Sequence, residues 1–248
     1  MLGLILVGSL ASGINAVAGG GSLISFPILV WLGLPPRVAN ATNSVALWPG
    51  SLAGAYGFID LLPKTKHHLK TLLLPTLIGS IGGAWLLLNT TEKLFNDIVP
   101  VLILLASLLL VFQSKIKAWT SQHKHVIGSK FVAALMQFSV AVYGGYFGAG
   151  MGIMMLAAFV LYMEGTIHEL NAIKGWLGVV INFAASVMFV FQHLVSPLPA
   201  AALMVGSIVG GFYAAKISQK VDSNRLRLVI ASYGFLMAAV FAYKAFLH

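Results

Sequence analysis

Charge is what this sequence has least of. Of its 248 residues only 8% are Asp, Glu, Lys or Arg, against about 25% in a soluble domain. A soluble globule of this length needs a larger charged shell, which argues against a soluble enzyme, a nucleic-acid binder or a disordered chain. Acidic residues number six, so carboxylates for acid–base work or metal binding are scarce. Cysteine is absent, which excludes disulfides, Fe–S clusters and thiol nucleophiles. No long polar segment interrupts the chain either; the longest covers residues 114–130.

What is present is apolar. Hydrophobic residues make up 59% of the chain, with a mean hydropathy of +0.93. Apolar runs cover 2–33, 38–59, 70–88, 98–113, 131–163, 171–192, 198–215 and 228–247. Most are long enough for a helix to cross roughly 30 Å of hydrocarbon. The chain therefore reads as an all-α, polytopic integral membrane protein. The opening run ends in Ala16-Val17-Ala18 but has no basic segment before it, so it is read as mature structure and not as a signal peptide. The net charge of +9 does not point to nucleic acid. Eleven of the fifteen basic residues sit in three short stretches, at Lys64–Lys70, Lys115–Lys130 and Lys216–Arg227. All three fall between apolar runs, as cytoplasmic loops do under the positive-inside rule.

The chain also matches itself when shifted by 131 residues. Gly13 falls on Gly144, Ala18 on Ala149, Gly19 on Gly150, Gly21 on Gly152, Asn40 on Asn171 and Gly79 on Gly210. This predicts two transmembrane repeats, 1–120 and 121–248. With the basic stretches inside, Arg37 and the segment 92–97 lie outside, and 131–163 must enter and leave on one face. The run 2–33 then does the same from the other face. Each half becomes a glycine-broken re-entrant hairpin plus three transmembrane helices, and the halves have inverted topology. The segment 164–170 fits least well, since it carries Glu164 and Glu169 without a basic residue.

Paired, glycine-broken apolar segments in corresponding halves point to a transporter binding site. The two breaks are 15–22 and 144–152. Non-helical backbone at membrane depth survives only where protein buries it or a cavity adjoins it. The helix restarting after each break presents N–H groups and a positive dipole end, which suits an anion. The competing use of these glycines is close helix packing. Candidate substrate-binding residues are Asn15, Gly19, Gly20, Gly21 and Ser22 at the first break, and Gly148, Gly150 and Gly152 at the second. Asn43, Ser44 and Trp48 would line one side, and Lys174 and Asn182 the other. Asn40 and Asn171 suit helix capping. Lys174 either balances an anion or snorkels to the interface. The histidines at 67–68 and at 123 and 125 fall in expected cytoplasmic loops without nearby carboxylates, so no metal site and no cofactor is expected. No paired acid and base stands within the apolar helices, so no catalytic residue is named.

The stretch Gly13-Ile14-Asn15-Ala16-Val17-Ala18-Gly19-Gly20-Gly21-Ser22-Leu23-Ile24-Ser25-Phe26-Pro27 resembles the signature of the TauE/SafE family, also called the toluene sulfonate uptake permease family. Ala39-Asn40-Ala41-Thr42-Asn43-Ser44 and the weaker copy at 144–152 extend the resemblance over the whole chain. It departs in having Asn15, where some relatives carry an acid, and Ala158 at the place matching Pro27. The resemblance implies a secondary transporter of sulfite, sulfoacetate, another organosulfonate or thiosulfate. Such a protein would sit in the cytoplasmic membrane and alternate access by rocking its halves. Its partners would be the small anion and the lipid bilayer, with no nucleic acid. An anion channel on the same scaffold, or carriage of a non-sulfur organic anion, stays open at this point. So do the coupling ion, the direction and the oligomeric state.

Overall fold

The computed structural model describes residues 1–17, 20–56, 59–122, 129–163, 166–217 and 223–246. Among them are ten α-helices and no strand: α1 (Leu2–Val17), α2 (Ser22–Trp31), α3 (Pro36–Tyr56), α4 (Leu62–Asn89), α5 (Glu92–Gln122), α6 (Lys130–Tyr146), α7 (Met151–Tyr162), α8 (Ile167–Phe191), α9 (Pro197–Ile217) and α10 (Ser223–Phe246). Both long apolar runs divide where glycines stand, giving α1 with α2 and α6 with α7. The predicted loop 60–70 is largely helix. α4 begins at Leu62, and α5 continues to Gln122 past the end of its apolar run. The basic residues there ride on helix ends that extend the apolar spans, which costs nothing where water can solvate them.

Among the described residues four helices are long and apolar enough to cross a membrane, lying within α4, α5, α8 and α10. α3 has the length but not the composition, since it carries Asn40, Thr42, Asn43, Ser44 and Ser51. Its polarity is tolerable because Asn40, Thr42 and Asn43 are all buried in protein, not facing lipid. Large apolar side chains cover the outside instead, among them Leu6, Leu74, Trp85, Val101, Phe212 and Leu228. Sequence suggested that α3 and α8 open at Asn40 and Asn171. Both start four residues earlier, α3 at Pro36, whose missing N–H is harmless at a first turn. α8 starts behind Thr166, whose hydroxyl accepts from Glu169 N–H while Glu169 accepts from Thr166 N–H. Capping is thus the work of Thr166 and Glu169, not of Asn171, and it gives the acid on this segment a local purpose.

The packing mixes the halves. α1, α3 and α9 pack on one another, and so do α6, α8 and α4; α3 against α8 joins the two groups. α5 lies on α10, with α7 against α5 and α2 against α10. Shifting every helix by one half carries each of these pairs into another of the set, except α3–α8 and α5–α10, which map onto themselves. Glycines set the closest approaches. Gly206 abuts the Ile5 carbonyl and Gly210 the Ser9 carbonyl, so α1 and α9 run parallel. Gly79 abuts the Phe138 carbonyl and Gly83 the Val142 carbonyl, so α4 and α6 do too. Across the join, Trp48 stacks edge-on against Phe183 at 5.3 Å and Ala55 meets Gly175. α3 and α8 are therefore antiparallel.

Candidate functional site

The first break closes on itself through polar contacts. Gly20 has φ +86°, a conformation costly for any residue with a Cβ. Gly21 N–H donates to Asn15 Oδ1 at 2.7 Å, tying the start of α2 back to the end of α1. The N–H groups of Leu23 and Ile24 go to the carbonyls of Gly20 and Gly21. Ser25, one turn on and fully buried, donates its hydroxyl to Asn43 Oδ1 at 2.5 Å and also approaches Gly21 O at 3.3 Å. Ser22 is half-buried at the first position of α2. Gly19 lies outside the described residues.

The second break is narrower than its glycine content suggests. Gly144 and Gly145 belong to α6 and serve packing, Gly144 against Met151 and Ile181, Gly145 against the Ser80 carbonyl. The chain leaves the helix only after Tyr146. Gly148 and Gly150 both have φ +80°. Tyr143 donates its hydroxyl to the Ala149 carbonyl at 2.6 Å and so holds the break from inside. Asn40 Nδ2 donates to the Tyr146 carbonyl at 2.9 Å, and Ser44 Oγ donates to Asn40 O at 3.0 Å. Asn40 is thus a cross-link from α3 to the end of α6, and capping is not its role. The stem of Lys174 lies on the restarting helix, because a Cβ added to Gly152 would stand 3.4 Å from Lys174 Cδ.

Both breaks press on one stretch of α5. A Cβ on Gly20 would meet Leu110 Cδ1 at 2.7 Å, and one on Gly150 would meet Ala106 Cα and Leu109 Cδ1 at 3.4 Å. Ala106 and Leu110 are one turn apart and fully buried. The two interruptions therefore lie at nearly the same height along the fold. Asn15, Gly20, Gly21, Ser22 and Asn43 are brought together at the first break, and Gly148, Gly150, Gly152 and Lys174 at the second. Ser44 donates within its own helix, to the Asn40 carbonyl. Trp48 and Asn182 lie further along the α3–α8 join, where Trp48 packs on Phe183, the neighbour of Asn182.

Ser25 and Tyr143 were missed by sequence reasoning. Each lies just outside the breaks as the sequence delimits them, and only the folded geometry aims its hydroxyl back. Arg37 was placed at the outer surface by sequence. It donates from its guanidinium to the Thr90 carbonyl at 2.5 Å and from its backbone N–H to Glu92 at 3.0 Å. The α2–α3 and α4–α5 turns therefore lie side by side.

A family model described as "Sulfite exporter TauE/SafE" matches residues 4–241. Relatives match along nearly their whole length. A "Probable membrane transporter protein" of Haemophilus influenzae is 27% identical over 240 residues, covering 97% of this chain and 93% of its own. "Probable membrane transporter protein YfcA" of Escherichia coli K12 is 25% identical over 242 residues, covering 98% and 89%. "Probable membrane transporter protein YunE" of Bacillus subtilis is 23% identical over 266 residues, covering 97% of each chain. No solved structure matches. Four membrane-length apolar helices, two breaks converging on α5 and a family match over almost the whole chain agree: this protein belongs to the TauE/SafE family and is a multi-pass membrane transporter.

Proposed function

We propose that the chain carries a small sulfur-containing anion, such as sulfite, an organosulfonate or thiosulfate, across the cytoplasmic membrane by alternating access. The anion would bind between the two breaks. The observation that carries this reading is their convergence on one turn of α5, with Lys174 lying on the second restart. Each restart points the positive end of a helix toward the same region, and a lysine stem beside one of them adds a cation. Asn15 already occupies Gly21 N–H, so side-chain donors and the second restart carry more of the anion than the first. The parallel runs α1–α9 and α4–α6 and the antiparallel α3–α8 join support an inverted repeat of 1–120 and 121–248. The basic stretches would face the cytoplasm. The bodies that rock would be α1–α3–α9 and α4–α6–α8, each built from both halves.

The test is binding to the full chain purified in detergent. Sulfite, sulfoacetate, taurine and thiosulfate are titrated at fixed ionic strength, with thermal unfolding or calorimetry as the readout. Saturable stabilisation by one or more of them, absent with chloride, is the expected result. No response from folded protein would overturn the substrate class while leaving the transporter fold intact.

A further inference from the structure

A cavity lies away from the breaks, at the base of the α6–α7 hairpin. It has a volume of about 190 Å³, smaller than the roughly 300–1,000 Å³ of pockets for drug-sized ligands. Its wall draws on three helices. His67, His68 and Thr71 come from the first turns of α4, Ser129 and Lys130 from the start of α6, and Tyr162 from the end of α7. Leu72, Ala133 and Met163 are buried and make its apolar floor.

The chemistry of this wall is one-sided. Among the described lining residues none is acidic, while one is a lysine and two are imidazoles. The first turn of α6 opens at the cavity, and its N-cap residue Ser129 makes no side-chain capping bond. Its early N–H groups and dipole favour negative charge. Tyr162 supplies the independent observation. Its hydroxyl oxygen is buried without a hydrogen-bond partner, and its ring is held edge-on by Phe159 at 6.1 Å. A buried hydroxyl left unsatisfied costs about 1–3 kcal/mol, so a polar group entering the cavity gains that bond.

We infer that this cavity is a binding site for a tetrahedral oxyanion of the phosphate class, either free or as the headgroup phosphate of an anionic lipid. Lys130 and His67 supply positive charge or N–H donors at the rim, Thr71 and Ser129 supply hydroxyls, and Tyr162 donates from the wall. Under the topology proposed above the cavity opens at the cytoplasmic face. Basic pockets between helices there suit lipid headgroups. It is separate from the breaks, so the inference does not depend on what the transporter carries.

The experiment uses the full chain, delipidated in neutral detergent. Its thermal midpoint is followed against inorganic phosphate, and separately against added phosphatidylglycerol or phosphatidylcholine. An anionic probe should raise the midpoint saturably, and phosphatidylcholine should not. A response to inorganic phosphate assigns a free-anion site, and a response to phosphatidylglycerol alone assigns a lipid site. The double variant His67→Gln/Lys130→Gln should lose about tenfold or more in affinity, while the control Lys93→Gln, on the opposite end of the fold, should not. Tyr162→Phe keeps the ring and removes only the hydroxyl. It should bind severalfold more weakly while the ligand-free midpoint holds or rises, since the hydroxyl it loses is unsatisfied in the empty cavity, which keeps the test open if the double variant fails to fold. No response to either probe overturns the site, and so does a response that these variants leave intact.

Discussion

Lys174 is the residue on which the anion reading turns. Its stem rests on Gly152, so replacing it with Gln keeps much of the packing and removes the charge. Lys174→Gln should weaken binding of the transported anion about tenfold or more, the scale of a charge-assisted bond. An unchanged affinity in calorimetry would assign Lys174 to the interface instead. Gly150 makes a sharper demand. At φ +80° beside Ala106, an alanine costs about 1–2 kcal/mol from backbone strain alone. Gly150→Ala should lower the thermal midpoint and impair transport together. Ser25→Ala should destabilise by about 1–3 kcal/mol, because Asn43 would keep a buried oxygen without its donor. The sequence announced Gly150 and Lys174, since glycine at a break and a cation in an apolar helix are local anomalies. It did not announce Ser25 or Tyr143, whose roles rest on distances between segments.

At the scale of the helix, the same residue type does opposite work in different places. Gly206 and Gly83 let parallel helices touch carbonyl to backbone. Gly82, beside Gly83 on α4, has open space where a side chain would go. Gly206→Val should therefore overpack the α1–α9 contact by about 1–3 kcal/mol or more. Gly82→Ala should stabilise α4 by about 0.5–1 kcal/mol, and paired melting curves of the two variants check both signs. The apolar runs and their glycine interruptions made α1, α2, α4 to α7, α9 and α10 legible in outline. The ends of α4 and α5 were not, because a helix continues through basic residues once solvent accepts their charges. The starts of α3 and α8 were misplaced for a different reason: Asn40 is a good capping residue, yet its amide finds the Tyr146 carbonyl.

For the molecule as a whole, the repeat visible in the sequence is not the unit of packing. α1 rests on α9 and α6 on α4, so neither 1–120 nor 121–248 holds its own partners. Either half expressed alone should be degraded or aggregate. Co-expression of both should recover a complex that co-purifies, and a stable, monodisperse isolated half would contradict the mixed packing. The lack of cysteine allows another check, since single cysteines report their side without background. Lys93→Cys should react with an impermeant maleimide from outside intact cells and Lys130→Cys only after lysis; the reverse would invert the topology. The same packing sets a schedule during synthesis. α6 emerges when α4 is already made, but α1 precedes α9 by about 180 residues. At about 5–20 residues per second, α1 passes roughly 9–36 seconds in the bilayer before α9 exists. Gly8 and Ser9, which meet α9 at Leu203, Gly206 and Gly210, spend that interval without the helix that covers them, so a late segment of the chain decides whether an early one was inserted to any purpose.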